Sequence, residues 1–442
     1  MDNLAFARAQ MGLSLAFHIV FAVIGVGMPL LMVISEALWL RTQEATYLDL
    51  TRRWAKGTAI LFAVGAVSGT VLSFELGLLW PLFMEYAGGI IGMPFSLEGF
   101  AFFTEAIFLG VHLYGWGRVP PLVHWLSGVM VALSGLASAI FVVSANAWMN
   151  APAGFRIVDG RVTDVDPIAA MLNPAAVQQV VHMALAAYVA TGFGVAGVHA
   201  SLLLRDRASP LHRRALGIAL ALGVIAIPLQ MVSGDGIARM VARRQPAKLA
   251  AMEAHYRTQA RAPLTIGGWP DDERMVVRGG VAIAPLLSLL AHHDPGATVT
   301  GLDAFPRDRW PDVRAVHLAF DVMVGLGFVL LTLAAWVAGL ALRRRRLPDT
   351  TWLLRSLVVA APAGFIAIEA GWVVTEMGRQ PWIVYEVMRT AEAVTPMPGL
   401  AVPFTIFTGV YLLLAVVVVL LLRREFVSTV SSAPRREQRD AA

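Results

Sequence analysis

No cysteine occurs in the 442 residues. That absence excludes iron–sulfur clusters, thiolate haem ligation and covalent c-type haem attachment. It also excludes disulfides, so the redox compartment cannot be read from cysteine usage. Charge is scarce as well: 15% of residues are charged and 57% are hydrophobic. A soluble chain carries about a quarter charged residues, so this composition is that of a membrane protein. The net charge of +5 does not point to nucleic acid, because the basic residues cluster beside apolar runs. No tandem repeat stands out. The first apolar run is too long for a cleavable signal and lacks a small-residue cleavage site.

What is present is apolar length. A helix needs about 20 apolar residues to cross the hydrocarbon core. Such runs lie near 10–38, 54–79, 95–116, 122–146, 176–204, 215–234, 315–342, 352–375 and 399–422. They predict an all-α integral membrane protein with nine transmembrane helices. Residues 1–234 hold helices one to six, and 235–314 form a long outer loop. Residues 315–426 hold helices seven to nine, and 427–442 read as a disordered cytoplasmic tail. The short loops on one side hold 15 Lys and Arg against 4 on the other. The positive-inside rule then puts the N-terminus and the long loop outside and the C-terminus inside.

Ionisable groups inside spans are costly to bury and are read as functional. His18, Glu75, Glu98, Glu105, His182, Glu369 and Glu376, together with Met323, all fall toward the outer side, although they are spread over more than 350 residues. His, Met and Glu at one depth without Cys form a plausible haem-ligand set. Each taken alone is also an ordinary packing or proton-handling residue. The residues themselves therefore indicate electron, proton or ion chemistry near the outer face. A proton-coupled transporter and a dihaem quinone-binding membrane anchor remain alternatives at this point.

Six motifs narrow the choice. They read SFELGLLWPLFMEYAGGIIGMPFSLEGFAFFTEAIFLG, SANAWMNAP, VVHMALAAYVATGF, GDGIARMVARRQPAKLAAMEAHY, LAFDVMVGLG and GWVVTEMGRQPW. With them, the chain resembles subunit I of the cytochrome bd-type quinol oxidases from about Leu4 to Leu422. The short outer loop resembles the cyanide-insensitive branch.

The resemblance implies a terminal oxidase of the bacterial cytoplasmic membrane that oxidises quinol and reduces dioxygen to water. It implies two haem b and one haem d, the last replaced by haem b in some variants. His182 and Met323 match the axial pair of the low-spin haem b. His18 and Glu376 match ligands at the dioxygen-reducing centre, with Glu98 a further candidate. Trp372, Arg8 and Arg379 match cofactor contacts, the two arginines as partners for haem propionates. Lys248 and Glu253 match residues of quinol oxidation, since a carboxylate accepts the quinol proton and a Lys hydrogen-bonds a quinone oxygen. A second large membrane subunit and a small single-span subunit are the implied partners.

Glu98, Glu105 and His112 are seven apart, which keeps them on one helix face within about 20° per step. The ladder is roughly 20 Å long. With Ser138, Glu105 and His112 are expected to form a proton path. His124, His199, His212, His255, His292 and His293 read as non-ligands, in loops or away from the cluster. Two residues before Met323 stands Asp321, where many relatives have Arg or Gln. An anion there would lower the low-spin haem potential unless it is protonated or paired.

Overall fold

The computed structural model describes residues 3–345 and 349–431. Arg346, counted above among the inner basic residues, and residues 432–442 of the expected tail lie outside that range. Residues 427–431, expected as tail, continue the last helix to Ser431.

Among the described residues, nine helical segments are long and apolar enough to cross a membrane. In chain order, spans one to four are Asn3–Thr42, Ala45–Leu79, Pro81–Tyr114 and Pro121–Asn150. Spans five and six are Ala176–Arg205 and Pro210–Arg244. Span seven is Val313–Arg344, span eight Thr351–Met377 and span nine Ala401–Arg424. Span eight is two helices, Thr351–Ala360 and Ala363–Met377, separated at Pro362. Proline opens spans three, four and six at the first helical position, where its missing N–H costs nothing. Asp312 caps span seven by accepting from the Ala315 amide at 3.0 Å.

Most of the helices are longer than their apolar runs, and spans three and six overrun one end by ten residues or more. Span three starts at Pro81 rather than near 95, because Phe83, Ala87, Ile90 and Ile91 are buried and hold the glycine-rich first turns. Glu98 therefore sits mid-helix, not at its start. Span six runs on to Arg244, so 235–244 belong to the helix and not to the loop. Hydropathy marks the stretch that suits lipid, whereas backbone hydrogen bonding carries a helix past it.

Spans one to four pack as one bundle and spans five to eight as a second, joined where spans one and four meet span five. Span nine lies against spans one and two. Between the bundles' partners, small residues allow backbone contact. A Cβ at Gly364 would lie 2.5 Å from Ala190 Cα.

The loop between spans six and seven is folded. It holds helices Pro246–Met252 and Leu286–His292 and three antiparallel strand pairs nested within one another. Gln259–Ala260 pairs with Thr298–Val299, Leu264–Ile266 with Val281–Ile283, and Trp269–Asp271 with Val276–Arg278. Leu249, Met252, Tyr256, Leu287 and Leu302 bury its core against Val313 and Val316 of span seven. The all-α expectation holds for the membrane part, and this loop carries small sheets.

Gly364→Val overfills the contact with Ala190. The expected cost is about 1–3 kcal/mol, read as a lower melting temperature in detergent.

Candidate active site

A cavity of about 650 Å³ lies within the first bundle and is closed by span eight. It gathers Arg8, His18, Glu98, Glu105, Ser138, Trp372, Glu376 and Arg379 from positions up to 371 residues apart. The sequence expected these eight near one another, and the fold brings them to one wall. Glu369 also lines it, and its buried Oε1 has no hydrogen-bond partner.

Local hydrogen bonds set the form of each group. Ser68 donates its hydroxyl to Val64 O at 2.9 Å. It therefore accepts from His18 Nδ1, also at 2.9 Å, which leaves His18 Nε2 as the unprotonated nitrogen. Gly69 makes room for this ring, since a Cβ there would lie 3.0 Å from His18 Cε1. Glu98 Oε1 accepts from Ser138 Oγ at 3.2 Å. Glu105 is buried against Gly135, where a Cβ would approach Oε1 to 3.2 Å.

Glu376 is held at both oxygens. Oε1 accepts from Asn146 Nδ2 at 2.7 Å and Oε2 from Arg379 Nη2 at 2.5 Å. Arg379 is 2% exposed, yet its Nη1 has no partner, and neither does the buried indole nitrogen of Trp372. A buried guanidinium with an unused donor fits a carboxylate-bearing group in the cavity, as a haem propionate is. Arg8 is exposed and reaches Met377 Sδ at 3.4 Å.

The network runs on into the loop. Lys248 Nζ donates to Asn150 Oδ1 at 3.2 Å and to Thr375 O at 3.1 Å. Asn150 Nδ2 donates to Asn146 Oδ1 at 3.3 Å, and Gln245 Nε2 donates to Asn150 Oδ1 at 3.3 Å. Lys248, Asn150, Asn146, Glu376 and Arg379 thus form one uninterrupted chain. Sequence reasoning missed Asn146, Asn150 and Gln245 as site residues. The i, i+4 spacing of the two asparagines in SANAWMN was the available signal, because it puts both amides on one helix face. Gly378 lets the Lys248 stem pass: a Cβ there would lie 3.0 Å from its Cγ and Cε.

Burial, reinforced by the Arg379 charge, lowers the Lys248 amine to about 7. Burial, reinforced by the Asp321 charge, raises the Glu253 carboxyl to about 8. Glu253 Oε2 is buried without a partner.

His182 and Met323 do not line the cavity. His182 Nε2 accepts from Gln230 Nε2 at 3.0 Å, and its buried Nδ1 has no partner. Met323 lies against span eight, where a Cβ at Gly371 would meet its Sδ at 2.9 Å. Both sit in the second bundle, on spans five and seven. Asp321 is engaged by the Gly267 amide at 2.9 Å and His317 Nε2 at 3.4 Å, so it is the paired case considered above.

His112 also stays outside the cavity lining. It is buried beside Glu36 and His124. His124 and His199 lie within spans rather than in loops; His199 accepts from Trp54 Nε1 at 3.3 Å and meets His212 Nδ1 to Nδ1 at 3.1 Å.

Arg379→Gln leaves Glu376, whose side chain is 25% exposed, without its cation. The expected loss falls below the about 3–5 kcal/mol of a fully buried pair, measured as a fall in melting temperature that Arg379→Lys repairs in part.

Comparison with known proteins identifies the family. The family model for cytochrome bd terminal oxidase subunit I matches residues 6–430. The putative cytochrome bd menaquinol oxidase subunit I of Bacillus subtilis is 38% identical, with 94% of each chain covered. The cytochrome bd-II ubiquinol oxidase subunit 1 of Escherichia coli is 29% identical, again with 94% of each covered. The bd oxidase structure from Geobacillus thermodenitrificans superposes with a TM-score of 0.91 at 38% identity, covering 97% of this chain and 99% of that one. The transporter and dihaem-anchor alternatives fall away. With a cavity that joins His18, Glu98 and Glu376 and a match along nearly its whole length, the chain belongs to the cytochrome bd terminal oxidase subunit I family.

Proposed function

We propose that this chain is the haem-carrying, quinol-oxidising subunit of a terminal oxidase that reduces dioxygen to water. It is a multi-pass protein of the bacterial inner membrane and a quinol oxidase. Two quinols supply the four electrons that one dioxygen needs and release four protons on the loop side, while the four protons that dioxygen consumes come from the cytoplasm. The observation that carries the reading is the hydrogen-bond chain from Lys248 to Arg379, which ties the folded loop to the cavity.

His182 and Met323 would hold a low-spin haem b. His18 and Glu376, with Glu98 as a further candidate, would hold the iron of a high-spin haem b and a haem d. When bound, these groups supply one-electron transfer and dioxygen reduction. The protein's own side chains do the rest. Lys248 offers an N–H to a quinone oxygen, and Asn150 fixes where that amine sits. Glu253 accepts the quinol proton, its unpartnered Oε2 being the receiving atom. Arg379 holds Glu376 and offers its free Nη1 to a propionate, with Arg8 as a second cation at the rim and Trp372 offering an indole N–H. Ser138 orients Glu98. Glu105 and His112, on the same face of span three, carry protons from the arginine-rich end. With that end in the cytoplasm and the loop outside, proton uptake and release occur on opposite sides and build a proton motive force. A second large subunit completes the complex, with a small single-span subunit beside it.

Glu253 works as a base only once ionised. Its carboxyl titrates near 8, so quinol oxidation is expected to rise with pH up to about that value. Glu253→Gln is expected to remove this rise and to slow turnover by about 10²–10⁴-fold, measured as quinol consumption against pH. Retention of the wild-type profile in the variant would rule Glu253 out as the base. A reduced-minus-oxidised spectrum of the purified complex counts the cofactors. A red-shifted chlorin band marks haem d, b-type bands alone mark haem b at the oxygen site, and no haem signal overturns the proposal.

A further inference from the structure

At the arginine-rich end of the first bundle, Glu36 of span one, His112 of span three and His124 of span four converge. Their side chains are 0%, 0% and 3% exposed. His124 Nε2 donates to the backbone carbonyl of His112 at 2.9 Å. That bond fixes the ring and turns Nδ1 to Glu36 Oε1, 2.6 Å away. At this distance one hydrogen is shared between the carboxyl and the imidazole. The other carboxyl oxygen, Glu36 Oε2, is buried, has no hydrogen-bond partner and lies 3.8 Å from His112 Nδ1. An unmatched buried carboxylate oxygen is costly. Gly128 leaves space for the His112 ring, since a Cβ there would come within 3.1 Å of its Cε1.

Two imidazoles and one carboxylate are a zinc donor set, and a histidine that ligates through one nitrogen while donating the other N–H to a carbonyl is the usual supporting arrangement. The three ligand atoms lie within 4.8 Å of one another. A tetrahedral Zn²⁺ with bonds of about 2.0–2.2 Å holds its ligands about 3.3 Å apart, so small side-chain shifts close the site. The hard cations Ca²⁺ and Mg²⁺ require more oxygen ligands than the cluster has. Trp116 covers His124, with ring centroids 3.7 Å apart, and the Arg52 guanidinium lies 4.9 Å from the Trp116 ring.

We propose that Glu36, His112 and His124 bind one Zn²⁺-class cation, through Glu36 Oε2, His112 Nδ1 and His124 Nδ1. The cation takes the place of the hydrogen shared by Glu36 and His124, which leaves as a proton, and His112 moves its N–H from Nδ1, where Ser127 Oγ accepts it at 3.4 Å, to Nε2. The site lies outside the cavity lining and shares His112 with the proton path proposed above, but its metal affinity is measurable whether or not that reading holds.

The test uses the purified oxidase complex after chelator treatment, with Zn²⁺ alone as the probe. Equilibrium dialysis with elemental analysis is expected to find one tightly held Zn²⁺ per chain. Calorimetry in buffers of different ionisation enthalpy is expected to find close to one proton released. X-ray absorption should place nitrogen and oxygen ligands at about 2.0–2.1 Å. Glu36→Gln and His124→Gln should each weaken binding by about 100-fold or more, while the haem spectrum reports an assembled complex. If either variant fails to assemble, His112→Gln and Gly128→Ala, which crowds His112, replace it. Absence of stoichiometric zinc in the wild type, or equal retention by every assembled variant, overturns the proposal.

Discussion

The carboxylate of Glu376 is the interaction on which the site depends. A charge at that depth requires a partner and hydrogen bonds, and Arg379 and Asn146 provide them from two other segments. Span eight must therefore end where Arg379 can turn back, and span four must present Asn146 at the same height. Asn150 follows one turn later and reaches Lys248, so the position of a buried ion pair is transmitted to the folded loop. The cavity and the loop are built around one polar chain, not around two independent sites.

The same constraint explains the division of labour between the bundles. The first bundle surrounds a mainly apolar cavity, and its glycines let His18 and Glu105 enter it. The second packs closely and holds His182 and Met323 against Gln230 and Gly371. Span eight contributes to both, because Gly371 faces Met323 while Glu369, Trp372 and Glu376 face the cavity.

Much of this was legible in the residues. Apolar length marked all nine spans, and of the ionisable residues singled out within them His18, Glu98, Glu105, Glu369 and Glu376 line the cavity whereas Glu75 and His182 do not. The i, i+7 spacing placed Glu98 and Glu105 on one face, and both line the cavity. What sequence could not reveal was pairing across spans. Asn146 and Asn150 read as ordinary polar residues until their partners are seen. His124 read as a non-ligand, in a loop or away from the cluster, and Glu36 was not singled out. Only the packing of spans one, three and four makes them neighbours. Helix ends were misjudged at Pro81 and Arg244 for a related reason: hydropathy reports solvent preference and not where backbone pairing stops.

The nested strands of the loop have a consequence for how the protein tolerates change. Each pair encloses the next, so residues added at the innermost turn, between Asp271 and Val276, shift no register in the outer pairs. Closing a longer loop there adds little entropy, since the cost grows only with the logarithm of length. Lys248 and Glu253 lie before the first strand and are fixed by the membrane helices. The tip is thus a place where length polymorphism can accumulate while the reacting groups stay in register.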